Sequence, residues 1–118
     1  MTIPNSTNTR STTIGIKFDS GKPEYGLLPA FALDEIVKVL TYGAHKYAPN
    51  NWRHVENSCK RYFDAAQRHT WAIARGEVND PESGFSHAAH AIACLMFLME
   101  HQMGTSQKTV DFLKTTTK

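Results

Sequence analysis

A chain of 118 residues with 41% hydrophobic and 20% charged residues has the composition of one globular domain around one core. A formal net charge of +2 with six histidines gives no dense basic stripe, which argues against a binder of polymeric nucleic acid and leaves a small anionic ligand open. The longest strongly apolar stretch, residues 88–99, is shorter than the roughly 20 residues of a membrane span, the first 13 residues lack the apolar core of a secretory signal, and two cysteines are too few for a disulfide framework. A reduced, cytoplasmic setting without membrane contact is therefore expected.

Residues 1–13 are rich in Ser, Thr and Asn and read as a mobile tail ahead of a single helical domain over 14–118. The alternation of Ile14, Ile16 and Phe18 predicts a short strand or an extended arm, and residues 19–23 form a turn by composition. From about Pro29, Leu33, Ile36, Val37, Leu40, Ala44 and Tyr47 make one helical stripe that Pro49 with Asn50 and Asn51 ends. A second helix is expected from residues 56–58, with Cys59, Tyr62, Phe63, Ala66, Thr70 and Ile73 inward and Gly76 as its stop. A third is expected from about Gly84 to Met103. Ile92, Leu95, Met96 and Met99 lie on its apolar face, and His87, His90, Ala91, Cys94, Leu98 and His101 lie opposite. A helix apolar nearly all round must be covered on both sides, which predicts a homo-oligomer through this helix. Residues 107–114 read as a short C-terminal helix with Val110 and Leu113 packing. The expected fold is all-α, a compact bundle of three main helices plus that short one, with an extended N-terminal arm.

Between the second and third helices Glu77, Asp80 and Glu82 put three acids into six positions. Carboxylates so placed suit a hard divalent cation, Mg²⁺ or Mn²⁺, which in turn suits phosphate oxygens. The plainer reading is a solvated acidic turn in which Ser83 caps the third helix. His87 and His90 share a helical face one turn further on, and His69 falls at the edge of the second helix's apolar stripe. Imidazoles beside carboxylates compose a mixed nitrogen and oxygen metal site, whereas singly each reads as a hydrogen-bonded core histidine.

A second stripe carries Arg61, Asp64, Arg68, Trp71 and Arg75. Arginines bind phosphate bidentately and an indole can stack a base. The alternative is a solvated face with an Asp64–Arg68 pair worth about 0.3–0.5 kcal/mol. In residues 45–53, Lys46 could meet a phosphate and the amides of Asn50 and Asn51 a base edge, or the stretch simply ends a helix with Trp52 closing the core. Gly21-Lys22 lacks the rest of a P-loop, no nucleophile triad stands out, and Cys59 and Cys94 read as packing residues.

The succession Asp19-Ser20-Gly21-Lys22-Pro23, Tyr42-Gly43-Ala44-His45-Lys46-Tyr47, Asn51-Trp52, Arg61-Tyr62, Asp64-Ala65, Arg68-His69, Gly76-Glu77 and Asp80-Pro81-Glu82-Ser83-Gly84, with His87 and His90, resembles the phage and bacterial dATP/dGTP diphosphohydrolase, N-terminal domain family. The resemblance spans about residues 16–101. It implies purine deoxynucleoside triphosphates as small-molecule ligands, hydrolysed to a monophosphate with a divalent cation, in the host cytoplasm if phage-encoded. It makes His69, Glu77, Asp80, Glu82, His87 and His90 metal or catalytic positions, Lys22, Lys46, Arg61 and Arg68 phosphate contacts, and Asn51 and Trp52 neighbours of the base or sugar. Related all-helical pyrophosphohydrolases carry two acidic helical pairs. Here Glu77 and Asp80 have the spacing of one pair but lie in a loop, and Glu35 is followed three residues on by Lys38. That departure tilts the expected centre towards histidine and carboxylate ligands.

Two functions follow as expectations. In a metal-dependent hydrolase, Glu77 or Glu82 orients or deprotonates water beside a cation held by His69, Asp80, His87 and His90. In a non-catalytic protein that sequesters a host nucleotide signal, the same arginines and tryptophans bind and no metal is needed. A purely structural helical oligomer would leave the polar loop unexplained.

Overall fold

A computed structural model describes residues 13–103. Among them the architecture is all-helical: α1 (Ala30–Lys46), α2 (Ser58–Ala74) and α3 (His87–Met103), with 3₁₀ turns at Tyr25–Leu27 and Asn51–His54. There is no strand among the described residues, and one isolated antiparallel bridge joins Asn79 and Ser86. Residues 14–18 form no strand and are exposed. The expected helix at residues 107–114 and most of the expected tail lie outside the described residues. No helix among these is long and apolar enough to cross a membrane.

The helix ends follow the local chemistry. Pro29 precedes the first turn of α1 in extended conformation and lends its carbonyl to the Leu33 N–H. Beyond α1, Asn50 adopts left-handed backbone, and its carbonyl accepts from Arg53 N–H to start the 3₁₀ turn. At the end of α2, Gly76 (φ +95°) closes a Schellman motif: its N–H reaches the Ile73 carbonyl and the Glu77 N–H reaches that of Ala72, each at 2.9 Å.

α3 begins later than its pattern suggests. Ser86, not Ser83, caps it, its Oγ accepting from the Ala89 N–H at 3.1 Å. The residues before it are held in a closed loop, so Gly84 (φ +81°) turns that loop and does not open a helix.

The helices are also rotated from the expected stripes. Val39, Ala89 and Ala93 form the central cluster, with Ile36, Leu40 and Phe85 packed on it, and Ala66, Ala72 and Ala91 are buried as well. Leu33, Val37, Phe63 and Ile73 stay outside. On α3 the face carrying His87, Ala91 and Cys94 turns inward, while Ile92, Leu95, Met96 and Met99 remain 41–55% exposed. Small alanine side chains let α2 and α3 approach closely. The rotation also lets the histidines meet polar partners, which an apolar contact could not offer them. At the other end of α3, Phe97 stacks on Trp52 (4.8 Å between centroids), and the His101 Nε2–H donates to the Trp52 carbonyl at 2.9 Å. That tethers the Asn51–His54 turn.

No atom lies within 4 Å of a Cβ built at Gly76, so its conformation alone sets the cost of a side chain there. Gly76→Ala should cost about 1–2 kcal/mol. Thermal unfolding should show it as a fall in midpoint of several degrees.

Candidate functional site

The loop of residues 77–86 is folded as tightly as a helix end. Asp80 N–H donates to the Phe85 carbonyl and Gly84 N–H to the Asp80 carbonyl, both at 2.7 Å, and His87 N–H donates to the Val78 carbonyl at 2.9 Å. Within it Asp80 Oδ2 accepts from the Ser83 N–H at 2.9 Å. The Schellman stop leaves Glu77 directly outside α2, facing the first turn of α3. Its Oε1 lies 2.8 Å from His87 Nε2.

His87 is only 4% exposed. A carboxylate accepts, so Nε2 of His87 carries a proton towards Glu77 and Nδ1 is left to face α2. That Nδ1 lies 2.8 Å from Nδ1 of His69 on α2. His69 also stacks on His90 at 4.6 Å, and His90 Nε2 lies 2.7 Å from Ser83 Oγ and 3.8 Å from Asp80 Oδ2. Donor atoms of His69, Asp80 and His87 all fall within 4.8 Å of one another.

The electrostatics suit this set. Burial holds the His69 imidazole below the usual histidine value, helped by His90 and His87, and burial lowers His90 against the pull of Asp80. For Asp80 burial acts upward, but hydrogen bonds from the Ser83 backbone and hydroxyl outweigh it and the carboxyl sits below its ordinary range. Neutral His69 and His90 beside an ionised Asp80 suit ligation, and a cation between the Nδ1 atoms of His69 and His87 would take the place of the one proton they share. Glu77 behind His87 completes the carboxylate–histidine arrangement that orients a ligating ring. The residues present fit a divalent cation.

Beside this cluster a cavity of about 700 Å³ opens between the C-terminal half of α1, the Asn51–His54 turn and α2. That volume falls within the ~300–1,000 Å³ of small-molecule sites. His69, Asp80, Glu82 and His90 line it at one side, Arg61 and Arg68 along α2, and Lys46, Asn51 and Trp52 at another. Across its rim Lys46 Nζ pairs with Glu82 Oε2 at 2.6 Å, and the Tyr42 hydroxyl donates to the same oxygen at 3.3 Å. Hydrogen bonding to Lys46 lowers Glu82, and the same contact raises Lys46.

The structure thus brings ten of the expected positions to one place, with Glu77 just behind. Lys22 is elsewhere, on the exposed arm, where its N–H closes the turn on the Asp19 carbonyl at 3.0 Å. Trp71 and Arg75 are exposed outside the cavity, and Asp64 pairs with Lys60 at 2.6 Å instead of with Arg68. Trp52 keeps little free ring: Phe97 stacks on it, and the Arg53 guanidinium stands 4.2 Å from its centroid. The sequence reading missed Tyr42, although it stands four residues before Lys46 on one face of α1. It also took Cys94 for packing alone, whereas this thiol lines the cavity, pushed up to about 11 by burial.

Residues 12–111 match the family described as dATP/dGTP diphosphohydrolase, N-terminal. Over 84 residues the chain is 38% identical to a protein of Salmonella phage PMBT28 named dATP/dGTP diphosphohydrolase. That alignment covers 71% of this chain and 28% of the relative, so the chain corresponds to less than a third of the relative's length. No solved structure matches.

The tautomer of His87 is open to direct measurement. Nitrogen-15 NMR should find Nε2 protonated and Nδ1 bare. Glu77→Ala should remove the preference and cost about 1 kcal/mol in chemical denaturation, less than a fully buried charged hydrogen bond because Glu77 is half exposed.

Proposed function

The chain belongs to the dATP/dGTP diphosphohydrolase N-terminal family, and from that premise we propose that its cavity binds a purine deoxynucleoside triphosphate and hydrolyses it to the monophosphate. One observation carries this reading: His69 and Asp80 belong at once to the donor cluster and to the cavity wall. A ligand in the cavity would therefore touch the place where a cation can be held.

His69, Asp80 and His87 would hold that cation, with His90 beside them, and it would neutralise charge on the phosphates. Two imidazoles with one carboxylate suit Mn²⁺ better than Mg²⁺, which prefers oxygen ligands. Glu77 keeps the His87 ring in place. Arg61 and Arg68 hold the phosphate chain from α2, and Lys46 meets it from the rim. The wall near Asn51 receives base and sugar.

Glu82 is the rim carboxylate that would act on water. When phosphate takes Lys46, Glu82 keeps only the Tyr42 hydroxyl on Oε2 and can accept a proton from the attacking water. The water oxygen then bonds to the α-phosphorus, the bond to the bridging oxygen breaks, and pyrophosphate leaves. The outward face of α3, exposed among the described residues, is the surface through which a homo-oligomer would form.

Purified protein incubated with dATP, dGTP and ATP, in Mn²⁺, in Mg²⁺ and in EDTA, should yield monophosphate only with metal. Asp80→Ala should abolish turnover with an unchanged helical circular dichroism spectrum, and wild-type turnover in that variant would remove Asp80 from the mechanism. Intact nucleotide after long incubation, with tight binding in EDTA by calorimetry, would instead establish a sequestering protein. Arg68→Ala should weaken nucleotide binding roughly 10- to 150-fold, the loss of about 1.5–3 kcal/mol for a charged hydrogen bond. Glu82→Gln should split the kinetic constants: kcat falls, while affinity rises because Lys46 is released.

A further inference from the structure

From Ile14 through the Tyr25–Leu27 turn to the first residues of α1, the chain keeps a row of large apolar side chains in water. Ile14, Ile16, Phe18, Tyr25, Leu27 and Phe31 are each 78–85% exposed. The first three alternate in sequence, so an extended course would put them on one side. Scattered exposed apolar residues are ordinary, but six within eighteen positions are a dense run. Elsewhere on the same chain a second apolar surface is uncovered. On α3, Ile92, Leu95, Met96 and Met99 face outward at 41–55% exposure. A shallow open groove of about 440 Å³ between Val37 and Phe85 adds to the uncovered apolar surface.

We propose that residues 14–31 are an exchange arm that packs on the outward face of α3 in a second copy of this chain, with the reciprocal contact closing a dimer. Among the described residues each copy carries both halves of the contact and covers neither by itself. This is the condition for an isologous, closed assembly made by swapping an identical element. The amount of surface agrees. Six side chains of roughly 150–200 Å² each, about four-fifths exposed, offer on the order of 700–950 Å² per copy. A stable interface needs roughly 800 Å² per partner. The proposal is independent of the hydrolase reading, since residues 14–31 and the outward residues Ile92, Leu95, Met96 and Met99 of α3 line neither the cavity nor the donor cluster.

The test uses the full chain. Sedimentation equilibrium at micromolar concentration should give twice the chain mass. Ile16→Asp combined with Phe18→Asp should raise the dimer dissociation constant at least 100-fold and leave the helical circular dichroism unchanged. A photo-crosslinker at Phe18, in a mixture of nitrogen-14 and nitrogen-15 protein, should give cross-isotope products joining position 18 to α3 near Met96 and Met99. A monomeric mass for the unaltered chain would overturn the proposal. So would products confined to single-isotope pairs, or products mapping to residues 104–118 in place of α3. The crosslinking arm stands even if the double aspartate variant does not fold.

Discussion

A buried imidazole has two nitrogens to satisfy, and the interior of this protein is arranged to satisfy those of His87. Its Nε2 needs a carboxylate, which Glu77 supplies from the far end of α2. Its Nδ1 needs a partner on the neighbouring helix, which His69 supplies. Meeting both demands sets the rotation of α2 and α3, closes the loop between them and places Asp80 next to the pair. An unpaired buried polar group would cost roughly 1–3 kcal/mol, more than any single alanine contact in the seam returns. Polar satisfaction therefore outranks apolar burial here. That is why Leu95, Met96 and Met99 are left outside while His87 is enclosed.

This explains how far the sequence could be read. The three helices were legible because punctuation marks them: Pro29 before α1, Pro49 after it, and Gly76 after α2. The bridging acids and histidines could be gathered because a ten-residue loop leaves them little room to separate. Rotation was not legible. On α3 apolar residues occur nearly all round, so periodicity does not choose a face, and the choice falls to contacts with residues 18 positions away. Ser83 looked like a cap because Ser followed by Gly and an apolar run suits a helix start; the loop hydrogen bonds push that start to Ser86. Lys46 and Glu82 lie 36 positions apart, and no local pattern announces their pairing.

The site is a meeting of two unlike halves. One half, from the end of α2 through the start of α3, is preorganised by backbone hydrogen bonds and carries the donor atoms. The other half, from the end of α1 through the Asn51–His54 turn, carries the Lys46 ammonium, the Asn51 amide and the aromatic wall, and is tethered mainly by Trp52 and His101. Across the rim they are joined by the Lys46–Glu82 pair, whose members are substantially exposed and thus weakly held. Such a pair opens readily to an anion.

Surface loops ordinarily absorb insertions and deletions with little penalty. The Schellman turn at Gly76 and the bridge between Asn79 and Ser86 deny that freedom here. A residue gained or lost near either end of the loop would slide Glu77 off His87. The tip at Pro81 and Glu82 gives no more room, because the Ser83 N–H bond to Asp80 Oδ2 and the Gly84 N–H bond to the Asp80 carbonyl both span it. A residue added there would part Asp80 from Ser83 and carry the rim carboxylate away from Lys46.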